Sequence, residues 1–92
     1  MNTDAVKVLA KTAPLKFSIE SVLARGNVNQ IPKIHRKKMK SLLAEIKKLE
    51  VAAQATVSQQ SLLKVDMSEV MTKCLEAQNH VTLFVSMLNS LG

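Results

Sequence analysis

Cysteine and histidine are the side chains here with the most versatile chemistry, yet their spacing predicts no reactive centre. Cys74 is the only cysteine among 92 residues, so an intrachain disulfide or a cysteine-based zinc site is excluded. Cys74 and His80 are six positions apart, about 240° around a helix, and cannot bind one metal ion from the same helix. No nucleophile has a plausible base beside it. We therefore predict a non-enzymatic protein without catalytic residues, metal ligands or a cofactor.

A row of basic residues in the middle of the chain is the second pattern with chemical potential. At 100° per residue, six of them share a sector of about 120° on one helix, and Lys38 falls outside it. This basic strip comprises Lys33, Arg36, Lys37, Lys40, Lys47 and Lys48. It extends over about 22 Å and could neutralise phosphates of a nucleic acid. The alternative is a solvated helix face, which the lack of aromatic stacking residues favours.

Length and composition limit the fold to one small domain with a thin core. A chain of 92 residues buries roughly 60–65% of the surface that its unfolded form exposes. Hydrophobic residues make up 47% of it, but Phe17 and Phe84 are the only aromatic ones. We expect one all-α domain over 1–92, in which 1–30 form short helices and 31–92 form a helical hairpin. Thin aliphatic helices of this kind commonly need a partner.

The N-terminal region predicts one or two short helices. The first spans about 3–12, with Thr3 as its N-cap. Its apolar side comprises Val6, Leu9 and Ala10. The second spans about 14–25, because Pro14 suits a first helical position and Gly26 suits the residue after a helix end. Its apolar side comprises Leu15, Ile19, Val22 and Leu23. The following GNVNQIP segment predicts a turn.

The C-terminal region predicts an antiparallel hairpin of helices over about 32–60 and 66–91, with a bend near 60–65. Apolar residues of both helices alternate at spacings of three and four. In the first helix they are Met39, Leu42, Ile46, Leu49 and Ala53. In the second they are Met67, Val70, Cys74, Ala77, Val81, Phe84, Leu88 and Leu91. Asp66 is the expected N-cap of the second helix, with Glu69 three residues on.

Charge and hydrophobicity divide the chain into unlike halves. Residues 1–48 hold eleven Lys and Arg against three acids, a balance of +8, whereas residues 49–92 hold two against four, a balance of −2. From Ala77 onward His80 is the only ionisable side chain. A helix that is apolar nearly all round must be covered on more than one side. We therefore predict a protein interface formed by Met67, Val70, Met71, Val81, Leu83, Phe84, Val85, Met87 and Leu88.

The hairpin sequence also resembles a known family. The segment LLAEIKKLEVAAQ followed by DMSEVMTKCLEAQNHVTLFVSMLNSL is similar to the helical hairpin of the flagellar basal-body rod adaptor FliE and its type III secretion inner-rod relatives. The resemblance covers about half the chain. It rests on Asp66, Val70, Met71, Ala77, Asn89 and Leu91. It implies an assembly subunit that packs against its own copies or against a larger machine.

These observations favour a helical protein-interaction module that docks on a larger protein or on its own copies, as a regulator, inhibitor, adaptor or rod-type subunit. The alternative is a small basic nucleic-acid-binding protein that uses the basic strip, and binding of a membrane surface by the same strip ranks third. No segment has eighteen uninterrupted apolar residues, so we expect no insertion into a membrane. A single cysteine is typical of a reducing compartment, and the expected location is the cytoplasm.

Overall fold

The chain folds into a bundle of three helices. The computed structural model describes residues 3–59 and 66–91, and these contain α1 (Thr3–Leu23), α2 (Lys33–Gln59) and α3 (Met67–Ser90), with a 3-10 turn at Val28–Gln30. No strand occurs in these two ranges. The bundle measures 47 × 21 × 17 Å. The prediction of an all-α fold is confirmed, while the predicted bend near 60–65 lies outside the described residues.

The N-terminal region forms a single helix of 21 residues that continues through Pro14. The expected boundary before Pro14 is therefore wrong. The reason is a buried seam that keeps the same register on both sides of the proline, with spacings of three and four throughout. Its members are Ala5, Val8, Thr12, Leu15, Ile19 and Val22, of which Leu15 is partly buried. Tertiary packing of this seam overrides the local preference of proline for a helix start.

The continuous seam also changes which side of the first ten residues faces the core. We predicted Val6, Leu9 and Ala10 as the apolar side, but Val6 and Ala10 are exposed and only Leu9 is partly buried. Ala5 and Val8 are buried in their place. Three apolar residues in a short segment did not identify the buried side of the helix, because that side is set by Ile19 and Val22, up to about two turns beyond the proline.

The two C-terminal helices match their predicted seams closely. Apart from Leu49, which is half-buried, the α2 seam is buried, and so is the α3 seam from Val70 onward, except for a half-buried Val81 and an exposed Leu91. The Asp66 carboxylate accepts a hydrogen bond of 2.8 Å from the Ser68 backbone N–H. The predicted N-cap of α3 is therefore confirmed.

Ion pairs between helices show how the helices run. Lys38 Nζ lies 2.7 Å from Glu76 Oε1, and Lys73 Nζ lies 2.9 Å from Glu45 Oε2. Residue numbers rise along α2 as they fall along α3, so these two helices are antiparallel. Nevertheless, α1 packs most extensively against α2, and the contact between α2 and α3 is the smallest of the three. The packing of α2 therefore depends more on α1 than on α3.

One further ion pair connects α1 to α2. Lys16 Nζ lies 2.7 Å from Glu50 Oε1, and Glu50 is otherwise buried. The hydrogen bond to Glu50 raises the pKa of Lys16. Because a buried carboxylate needs a partner, Lys16 allows Glu50 to sit within the contact between these helices.

Across residues 3–59 and 66–91, no helix combines the length and the apolar character needed to cross a bilayer.

Candidate docking groove

An open groove runs between α1 and α3. It encloses about 710 Å³ and is lined mainly by apolar groups. Small side chains on one flank of α1 leave this space, since Ala10, Pro14 and Ser18 follow one another at intervals of four residues. Where two helices present small residues to each other they approach closely, but here the opposite wall includes the long side chains of Met71, Leu75 and Gln78. The result is a trough and not a closed contact.

The α3 wall of the groove carries the large exposed side chains. Met71 and Leu75 are one turn apart, and 44% and 57% of their respective surfaces are exposed. Leu15 and Val81 lie deeper in the groove and are half-buried. A cluster of aliphatic and thioether side chains along a concave surface is typical of helix-binding grooves.

The electrostatics of the groove are simple. Among the described residues that line the groove, Lys11 is the only charged one, and the other polar groups are Ser, Thr and Gln side chains together with the Cys74 thiol. Burial raises the pKa of Cys74, although the positive charge of Lys11 acts in the opposite direction. The thiol therefore stays protonated near neutral pH and lines the groove as a small apolar group.

The predicted interface residues separate into three groups in the structure. Val70, Phe84 and Leu88 are buried in the core of the chain itself, so they are inaccessible to a partner in this fold. Half-buried positions are Met67, Val81, Val85 and Met87. Only Met71 and Leu83 are exposed. Leu83 is not one of the residues that line the groove, and it lies about 120° around α3 from Met71.

Leu75 is the groove residue that sequence reasoning missed. It lies outside the α3 seam, and the prediction concentrated on the denser apolar run after Val81. A signal was present in the sequence, since Met71, Leu75, Gln78 and Thr82 follow one another at spacings of four, three and four. The α1 wall could not be found in this way, because the expected helix boundary placed Ala10 and Pro14 in separate helices.

The basic strip lies on the outer side of α2. Lys33, Lys37, Lys40, Lys47 and Lys48 are exposed. None of these five forms an ion pair with a carboxylate of the described residues. Arg36 differs, since it is half-buried and its Nε donates to the Ile31 carbonyl over 3.0 Å. Lys38, which we had placed outside the strip, pairs with Glu76 on α3.

The two histidines meet in the contact between α2 and α3. The ring centroids of His35 and His80 are 6.2 Å apart. Burial lowers the pKa of His80, although the hydrogen bond with the His35 backbone acts in the opposite direction. The net effect favours the neutral form of the His80 imidazole. In the part of the chain that is described, no three His, Cys, Asp or Glu side chains are grouped closely enough to hold a metal ion.

Comparison with protein-family models, with curated proteins and with solved structures finds no match to this chain. The resemblance of the hairpin to FliE and its relatives stays a prediction.

Proposed function

We propose that this protein is a non-enzymatic interaction module that binds a helix of a partner protein in the groove between α1 and α3. The observation that carries the proposal is the pair of exposed side chains, Met71 and Leu75, on one wall of an apolar trough. An amphipathic helix inserts apolar residues at intervals of three and four into such grooves. A regulator, an adaptor and a rod-type subunit would all use this mode of binding.

Charge complementarity indicates what kind of helix fits. Lys11 is a charged residue that lines the groove, and the neighbouring turn of α1 contributes an exposed Lys7. The chain as a whole carries a net charge of +6. A partner helix with apolar residues on one face and carboxylates along its flanks would meet apolar walls and the two lysines of α1. Opposite charges at an interface border mainly raise the association rate and suppress wrong partners.

The groove can be tested with a designed peptide. We expect a helical peptide with Leu at intervals of three and four and Glu on both flanks to shift the backbone NMR signals around Leu75. The change Leu75→Asp should weaken its binding about tenfold or more, because burial of a leucine is worth roughly 1.5–3 kcal/mol. A peptide with Lys in place of Glu should bind more weakly than the Glu peptide.

Leu83→Asp provides the matched control. It alters an exposed leucine of the same helix by the same charge, outside the groove. Unchanged binding by Leu83→Asp together with loss by Leu75→Asp supports the groove. If Leu83→Asp removes binding and Leu75→Asp does not, the partner surface is the other side of α3 and the groove proposal is wrong.

A second candidate function is binding of a nucleic acid through the basic strip. It is favoured by the five exposed lysines of α2, which lie on one side of the helix without an ion-pair partner among the described residues. Cations in such a row can neutralise phosphates and release counterions. This surface lies apart from the groove, so the two functions can be tested independently.

The change of Lys37, Lys40 and Lys47 to Gln tests this candidate. If the strip binds phosphates, the slope of log affinity for a DNA duplex against log salt should fall by about 2 to 3 units. The control changes Lys7, Lys11 and Arg25 to Gln, which removes the same charge from other surfaces. Equal losses in both triple variants would show a general effect of net charge, and no binding by the wild type at low salt would exclude the function.

A further inference from the structure

We propose that two copies of this chain associate through the outer face of α1, paired antiparallel about a two-fold axis. The face consists of Val6, Ala10, Ala13 and Phe17, which we call the α1 outer face. All four are exposed, and 73% of the Phe17 surface is open to solvent. Phe17 is one of only two Phe, Tyr or Trp residues in the chain, and the described part of the bundle leaves most of its ring exposed.

The spacing of these residues places them on one side of the helix. They follow one another at intervals of four, three and four, which confines them to a sector of about 60°. This sector faces away from the buried seam of α1. The helix therefore has two apolar faces, of which the fold uses one. An exposed apolar patch of this kind marks an interaction site more often than isolated exposed residues do.

The order of large and small side chains identifies a second copy as the occupant. An interface with two-fold symmetry requires that residue i contacts j and that j contacts i. When two α1 helices pair antiparallel about a point between positions 11 and 12, Val6 faces Phe17 of the second copy and Ala10 faces its Ala13. Large side chains then meet at both ends and alanines meet in the middle. Helices with small residues at their contact approach to about 8 Å, the lower end of the usual range.

The charges beside the face are compatible with self-pairing. Lys7 and Lys16 border it on opposite flanks, and in the antiparallel pair each lies about 13 Å along the axis from its own equivalent. This separation exceeds the screening length of about 8 Å at physiological ionic strength. The outer side of α2 is a poor alternative, because its five exposed lysines would repel those of another copy.

The contact between the two α1 helices is small. Val6 and Phe17 are about 17 Å apart along the helix, and a contact of this length buries less area than an interface of standard size, which buries roughly 1,200–2,000 Å². We therefore expect a concentration-dependent dimer and not a permanent one. The inference does not depend on the groove, because its two large residues, Val6 and Phe17, do not line it and Leu75 is not part of the α1 outer face. Ala10 is the one residue named in both surfaces.

Sedimentation equilibrium from about 10 µM to about 1 mM tests the pairing without any partner protein. The wild type should show a monomer–dimer equilibrium, and Phe17→Asp should raise its dissociation constant at least about tenfold. The control is Ile34→Asp on α2, because Ile34 is exposed to a similar extent, 74%, and the charge change is the same. Circular dichroism should show that both variants keep their helices.

Mixing variants tests the register itself. Val6→Lys and Phe17→Asp should each weaken self-association, whereas their mixture should form a heterodimer in which the new lysine faces the new aspartate and the native pair is retained at the other end. Association of the mixture above that of either variant alone supports the antiparallel pairing. Three results would overturn the proposal. They are a wild type that stays monomeric at about 1 mM, equal effects of Phe17→Asp and Ile34→Asp on association, and no increase in association when the Val6→Lys and Phe17→Asp variants are mixed.

Discussion

Replacement of Phe84 by Ala is expected to lower the free energy of unfolding by about 3–5 kcal/mol. Phe84 is fully buried and is the largest side chain of the core. Its removal takes away the transfer free energy of the ring and leaves a cavity that the surrounding aliphatic side chains fill only partly. Since small domains are stable by only about 5–15 kcal/mol, this loss is a large share of the total. Urea denaturation followed by circular dichroism measures it.

Phe17→Ala is the matched control for this change. The same atoms are removed from a side chain that is mostly exposed, so the expected change in the free energy of unfolding is within about 0.5 kcal/mol. The comparison should be made at low protein concentration, where association through the α1 outer face does not contribute. Similar losses at both positions would contradict the placement of Phe84 in the core.

Replacement of Pro14 by Ala is expected to raise the free energy of unfolding by about 2–3 kcal/mol. Proline in a helix interior removes a hydrogen bond to the carbonyl of residue i−4, here Ala10, and is about 3 kcal/mol less favourable than alanine. Part of this gain is offset, because proline also restricts the unfolded chain by about 0.4–1 kcal/mol. Pro14 is exposed, so the change creates no cavity. Denaturation with urea again provides the measurement.

The second proline offers the control. Pro32 directly precedes α2, and its carbonyl accepts hydrogen bonds from the backbone N–H groups of His35 and Arg36. A backbone N–H at this position would have no hydrogen-bond partner within the helix, so proline costs no helical hydrogen bond here. Pro32→Ala should therefore leave the free energy of unfolding unchanged or slightly lower. A neutral or destabilising effect of Pro14→Ala would mean that a separate helix begins at Pro14, as its sequence context suggests.

The helices of the C-terminal half were predictable because local and global signals agree there. The apolar alternation of α3, the Asp66 cap and the absence of interior Pro or Gly all favour the same helix. The outcome for single residues follows from this agreement, since Phe84 and Leu88 are buried where the periodicity places them. Their burial within the chain also removes them from the surface that we had assigned to a partner.

The groove needed information that is distant in the sequence. Its two walls come from residues about sixty positions apart, and no pattern within either helix indicates that α1 leaves space beside Met71 and Leu75. The volume of the groove depends on which flank of α1 faces α3. That orientation is set by packing of Ile19 and Val22 in the core. The periodicity of one helix shows which of its sides is buried but not which other helix packs against that side.

By itself, the sequence determined the helical class, the seams of α2 and α3, the capping of α3 by Asp66 and the grouping of cations between Lys33 and Lys48, because each depends on spacing along one helix. The tertiary structure decided what depends on packing between helices. It made α1 continuous through Pro14, left Val6 and Phe17 exposed to solvent, covered Phe84 within the chain and not by a partner, and left Met71 and Leu75 accessible. The physical reason is that burial of a long apolar seam outweighs the cost of one interior proline, and this balance exists only when all three helices are together.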